Sequence, residues 1–197
     1  MQFAFFALLV AAPPAGFVDL AVCIPTLREH IGYHTAENFT GAPLPGYEVS
    51  AAWMLEPAAA ALAKVQTDLA AKNLGLLVYD AYRPRRASLA MLEWAKREGK
   101  VDLFKQGYIA SKSGHNHGHT VDLTVVNIKS GVPLEMGTAW DTLDTRANTE
   151  NASGEALQNR HLLRDAMVKR GFRPYPKEWW HFTFPLEGTA PQDIPYD

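Results

Sequence analysis

Three histidines fall within five residues in Ser113-Gly114-His115-Asn116-His117-Gly118-His119-Thr120-Val121-Asp122. A histidine and a carboxylate seven residues apart, with a glycine turn between them, can converge from a loop and the strand that follows. Imidazole nitrogen and carboxylate oxygen are the borderline donors that divalent zinc takes. A second segment, Glu178-Trp179-Trp180-His181, sets a carboxylate and an imidazole at i and i+3. If His181 ligates a metal, Glu178 comes within reach of a water on it. The third segment, Tyr79-Asp80-Ala81-Tyr82-Arg83-Pro84, places an arginine just past a short apolar run. A buried guanidinium there could hold a carboxylate or a developing oxyanion by charge-assisted hydrogen bonds. Each segment also has a plain structural reading. His115, His117 and His119 could be a solvated strand face, Asp122 a turn or capping residue, and Glu178 a surface acid on an aromatic core strand. Arg83 could simply cap the next helix. Spacing alone leaves the metal site and its choice of histidine open, and it names no substrate.

The elements that would carry these residues are a mixture of helix and strand. Residues 58–72 are alanine-rich with Leu62, Val65 and Leu69 at helical spacing, Pro57 near the start and Gly75 beyond the end, which predicts a helix. Residues 76–79 are a short continuous apolar run and predict a buried strand. Arg83-Pro84 opens a second helix to about 97, with Leu89, Leu92 and Trp94 on its inner face. Residues 119–126 read as a strand, 157–170 as a third helix closed by Gly171, and 179–184 as a last strand. Three helices interleaved with short strands predict an α+β domain, a central antiparallel sheet flanked by helices.

Composition bounds the rest. At 197 residues, with 47% hydrophobic and 20% charged, the chain is long enough for one compact domain and too apolar for disorder. Nineteen basic against twenty-one acidic residues, a formal net charge of −2, argue against a nucleic-acid binder. One cysteine, Cys23, excludes an internal disulfide and a zinc site built from several thiolates. The apolar run over 3–12 is about half of the roughly 20 residues that span a bilayer, so an integral membrane protein is not indicated. Residues 1–16 read as a signal peptide or an N-terminal extension before a domain over 17–197, although no Lys or Arg precedes the run and Pro13 follows it. A periplasmic or secreted location follows from the first reading, a cytoplasmic one from the second.

The pattern Ser113-x-His115-x-x-Gly118-x-x-x-Asp122 followed by Glu178-x-x-His181 resembles the zinc-binding pattern of the LAS-type peptidoglycan metallopeptidases. The nearer likeness is to the VanX-type D-alanyl-D-alanine dipeptidase family. Asn38-Phe39-Thr40-Gly41, Gly46-Tyr47-Glu48-Val49, Tyr82-Arg83-Pro84 and Gly107-Tyr108-Ile109-Ala110-Ser111-Lys112-Ser113 also resemble family segments, in the family's order from about 17 to 184. The resemblance implies a hedgehog/LAS-type fold with one zinc in a cleft, held by His115, Asp122 and His181, the fourth position left to water. It implies Glu178 as general base and Arg83 as the oxyanion-stabilising arginine. Asp141, in Trp140-Asp141-Thr142-Leu143-Asp144, matches the residue that receives the substrate's free amine. Tyr33 and Asp80 match positions lining that pocket, and Ser113 the serine near the substrate's carboxylate end. His117 and His119 stand where the family more often has arginine, serine or alanine, which makes them rival ligands, though the Asp122 spacing favours His115. The implied reaction is hydrolysis of a small dipeptide, D-alanyl-D-alanine, to two D-alanines. A cell-wall carboxypeptidase or endopeptidase shares the zinc site but lacks the amine stop. A non-catalytic zinc-bearing binding protein would need neither Glu178 nor Arg83. No oligomeric state is implied.

Overall fold

The computed structural model describes residues 12–110 and 112–197. The apolar run over 3–12 lies outside them except for its last residue. The architecture is α+β. In chain order come β1 (Phe17–Asp19), α1 (Leu20–Cys23), β2 (Arg28–Glu29), β3 (Trp53–Leu55), α2 (Glu56–Ala70), β4 (Leu74–Asp80), α3 (Arg85–Arg97) and α4 (Asp102–Gln106). Then follow β5 (Thr120–Asn127), α5 (Gly154–Lys169), β6 (Arg173–Pro174) and β7 (His181–Thr183), with single 3-10 turns at Gly32–His34, Gly114–His117 and Thr145–Ala147. Among the described residues no helix is long and apolar enough to cross a membrane.

The main sheet has the order β2-β4-β5-β7-β6, and β1 pairs separately with β3. The expected antiparallel sheet is in fact mixed. β2 runs parallel to β4 while the other neighbours are antiparallel. The reason is the connection: β3 and α2 lie between β2 and β4, and a crossover of that length returns the chain in the same direction. β5 is the central strand, with seven of its eight residues buried.

α2 forms where the alanine-rich periodicity says it should, with Leu62, Val65 and Leu69 buried. Its end differs from expectation. The helix stops at Ala70 and the left-handed turn falls on Asn73, φ 58°, whereas Gly75 is already inside β4. A Cβ on Gly75 would press on the amide of Gln66. That buried side chain accepts from the Leu76 N–H at 2.8 Å and donates to the Thr26 carbonyl at 3.0 Å, tying α2 to the sheet. α3 starts at Arg85 and turns Ala87, Ser88, Met91, Trp94 and Ala95 inward. On that phase Leu89 is 47% exposed and Leu92 only half-buried, so the inner face is the one set by Ala87 and Met91 and not by Leu89. α5 begins three residues before its expected start.

The last residues pass behind the loop that follows β4. The Arg85 N–H donates to the Gln192 carbonyl at 3.1 Å, and the Gln192 N–H to the Asn116 carbonyl at 2.8 Å. Buried Tyr196 donates its hydroxyl to the Tyr82 carbonyl at 2.7 Å and accepts from the Trp53 N–H at 3.2 Å.

Candidate active site

Three adjacent strands bring carboxylates and an imidazole into one row. Asp80 at the end of β4 is the register partner of Asp122 on β5, and Asp122 is in turn the partner of His181 on β7. His115 joins them from the 3-10 turn just before β5. The Ser113 hydroxyl accepts the His115 N–H at 3.3 Å to start that turn, and Gly118, φ 77°, ends it. A side chain at Gly118 would run into the Phe17 ring, so the tight return into β5 needs a residue without a Cβ.

His115 Nδ1 lies 2.7 Å from the Ala81 carbonyl oxygen, which can only accept. Nδ1 therefore carries the proton, and the lone pair of Nε2 faces the row. From Nε2 it is 3.2 Å to Asp122 Oδ1 and 3.3 Å to His181 Nδ1, and the last two atoms are 3.0 Å apart. Donors about 2.0–2.1 Å from a tetrahedral zinc are separated by roughly 3.3 Å, so this triangle has the size of one face of such a site. The donor types, the spacing and the hydrogen-bonded far nitrogen of His115 all fit zinc. His117 and His119 do not join the cluster. Nδ1 of His117 meets the Thr189 hydroxyl at 3.0 Å, and the His117 ring packs beside that of His119.

Charge within the site follows from burial and partners. Burial works against ionisation of Asp122, but the two histidines outweigh it and hold the carboxyl well below the ordinary range. Glu178 is buried, 3.5 Å from His181 Nδ1, and positioned by its own N–H to the Tyr175 carbonyl at 3.1 Å. Burial pushes its carboxyl up to about 7, His181 pulling the other way. A carboxyl poised there can both take and return a proton near neutral pH.

Arg83 lies over the Tyr33 ring, 4.9 Å from its centroid. Its Nε and Nη2 donate to Asp80 Oδ2 at 3.0 and 2.7 Å, and Nη2 is 3.8 Å from Asp122. Asp80 was expected beside the amine pocket, but it is fully buried beneath Arg83 and does not line the cavity. Its place in the strand row directs it at Arg83 and at His115 Nδ1, 3.2 Å away. The Tyr47 hydroxyl donates to the other Asp80 oxygen at 2.5 Å. Tyr47 has no spacing signal of its own; only its membership of a family-like segment pointed to that stretch.

One cavity of about 630 Å³ takes in His115, Asp122, His181, Glu178, Arg83, Asp141, Tyr33 and Ser113. Asp141 lines the same cavity, in left-handed backbone with φ 61°. The Tyr33 hydroxyl donates to Asp141 Oδ1 at 2.9 Å and the Phe39 N–H to Oδ2 at 3.4 Å. Burial, with the Asp122 charge adding to it, holds the Asp141 carboxyl well above its ordinary range. The Arg83 charge pulls the other way, but among the described residues no lysine or arginine lies within ion-pair distance of Asp141.

Two imidazoles and a carboxylate of metal-binding size, with a buried acid and an arginine on the same cavity, are the equipment of a metal-dependent hydrolase. The pattern of peptidase family M15, described as D-ala-D-ala dipeptidase, matches residues 14–196. The chain belongs to that family and is a peptidase of the metallopeptidase class. It is 36% identical over 182 residues to the D-alanyl-D-alanine dipeptidase of Enterococcus faecalis, covering 85% of this chain and 90% of that one. It is 34% identical over 187 residues to the protein of that name from Streptomyces coelicolor, covering 87% and 91%. With the Escherichia coli protein it shares 34% over 176 residues, covering 88% and 87%.

Proposed function

We propose that this chain hydrolyses D-alanyl-D-alanine to two D-alanines, using one zinc ion held by His115, Asp122 and His181. The observation that carries the dipeptide reading is Asp141, a half-buried carboxyl with no lysine or arginine in ion-pair contact, in the cavity that also holds the metal-sized triangle. A substrate ammonium supplies the missing positive charge. Zinc in such a donor set supplies Lewis-acid polarisation of a carbonyl and acidifies water to near neutrality. Asp141 and the Tyr33 hydroxyl hold the substrate's amine end. Glu178 takes the proton from the attacking water as the C–O bond forms, then returns it to the leaving nitrogen as the C–N bond breaks. Arg83, braced by Asp80, donates to the carbonyl oxygen as it becomes negative. The Ser113 oxygen accepts from its own turn, which leaves its O–H to donate to the substrate's carboxylate.

An acyl group on the substrate amine removes the charge and adds bulk where Asp141 stands. Asp141 is then left unpaired, so a free dipeptide is preferred over a peptidoglycan stem. The test compares D-Ala-D-Ala, L-Ala-L-Ala, N-acetyl-D-Ala-D-Ala and a stem pentapeptide, each with and without chelator. Chelator-sensitive cleavage of the first alone supports the reading. Equal cleavage of the acetylated dipeptide or the pentapeptide replaces it with a cell-wall carboxypeptidase.

A further inference from the structure

Arg160 is fully buried on α5, and every hydrogen-bond partner of its guanidinium is a main-chain carbonyl. Nε donates to Met136 O at 2.7 Å. Nη1 donates to Asn148 O at 2.7 Å and to Arg146 O at 3.1 Å, and Nη2 shares the Arg146 oxygen at 3.1 Å. Among the described residues no carboxylate pairs with it. Burying a cation without a counter-ion is costly, and carbonyl dipoles offset that cost only if they stay in place.

The three carbonyls bracket one loop, 136–148, and Asp141 stands near its middle. No residue of α5 lines the cavity, so Arg160 reaches the site only through this backbone. Trp179 holds the loop as well, its N–H donating to Ala147 O at 3.1 Å and its indole N–H to the Thr138 hydroxyl at 2.8 Å. The Arg160 guanidinium lies 6.0 Å from the Trp179 ring. Asp141 needs this bracing because its left-handed backbone is unfavourable for a residue with a Cβ.

We infer that Arg160 is a positioning residue for Asp141, setting amine selectivity from outside the cavity by fixing both ends of the loop. The inference rests on the dipeptidase reading for its substrate. A planar five-donor fork can hold several carbonyls at once; a lysine ammonium can hold fewer and in no fixed plane.

The experiment uses the intact zinc-loaded chain and measures kcat and KM on D-Ala-D-Ala and N-acetyl-D-Ala-D-Ala. The proteins are the unsubstituted chain, Arg160→Met, Arg160→Lys, Asp141→Ala and the Arg160→Met/Asp141→Ala double variant, with zinc content and amide hydrogen exchange on each. If the unsubstituted chain cuts both substrates equally, the dipeptidase reading fails, and hydrogen exchange alone then judges the Arg160 clamp. Otherwise Arg160→Met should raise KM for the free dipeptide by about tenfold or more, the scale of a small misplacement of a binding group, and change kcat less. It should narrow the discrimination against the acetylated dipeptide, keep its zinc and add nothing in the Asp141→Ala background. Exchange should quicken over 138–147 and not in the sheet. Unchanged discrimination, an equal further loss in the Asp141→Ala background, or exchange that is unchanged or faster throughout overturns the inference. Where Arg160→Met does not fold, Arg160→Lys decides by the same criteria.

Discussion

Two parts of the cavity lining, the metal-sized triangle (the metal end) and Asp141 (the amine end), are built by different means. At the metal end, Asp122 and His181 are register partners on neighbouring strands, and Asp80 continues the row. Ladder hydrogen bonds set that spacing, and the one donor from a turn, His115, is tied down at both its N–H and its Nδ1. At the amine end, Asp141 sits in a loop with left-handed backbone, held by a tyrosine hydroxyl, one N–H and a buried arginine on a distant helix. On the proposed function, donors that would meet around one ion come mostly from the sheet, and the group that would choose the substrate rides on a segment able to change without moving them.

The sharpest way to break this contrast is to strike the metal end. His115→Ala should lose both bound zinc and turnover, the largest effect of any single change here. Metal analysis of the purified variant checks it, and full zinc content would sink the assignment of His115. Glu178→Gln should come next, with zinc retained and turnover down by about 10²–10⁴-fold, the usual scale for removing a general acid–base group. Near-normal rates would mean that another group activates the water. Asp141→Ala should keep its zinc and lose roughly a hundredfold in kcat/KM on the free dipeptide, the consequence of removing the partner of a desolvated charge. Loss of metal in that variant would show that the two ends are not separate.

A control outside both regions has the smallest effect. Asp68 on α2 accepts from Arg170 at 2.9 and 2.6 Å and pairs with Lys169 at 3.0 Å, just beyond and at the end of α5. Hydrogen bonds from Arg170 and then Lys169 lower its pKa to about 2. An unfolded aspartate titrates near 3.9, so this contribution is complete above about pH 4 and fades as pH falls toward 2. Asp68→Asn should lower Tm at pH 7, by an amount that shrinks below pH 4, with kcat/KM untouched. A Tm gap that ignores pH would rule out the ion pairs as its cause.

The same contrast explains what could be read in advance. A strand, a glycine turn and a helical repeat have fixed periods, so α2, β4, β5 and the convergence of His115, Asp122 and His181 were legible from spacing and family-like segments. Leu89 was misplaced because the phase of α3 is set by what Met91 and Trp94 pack against, not by the count of apolar residues. The resemblance lines the amine pocket with Asp80, whereas its hydrogen bonds run to Arg83, a pairing that sequence spacing does not single out. Arg160 left no local trace, since its partners are carbonyls, and every residue supplies one.

The tail behind the Arg83 loop has a bearing on when the site comes into being. Tyr196 bonds to Trp53 across 143 positions of sequence and to Tyr82 across 114. Contacts that distant form late, because the intervening chain must first be closed into a loop. During synthesis Arg83, His115 and Asp122 leave the ribosome well before Glu178 and His181, and the strap that backs Arg83 follows both. The loop that carries Arg83 therefore gains the backing of residues 192–196 only after the chain as far as Tyr196 has left the ribosome.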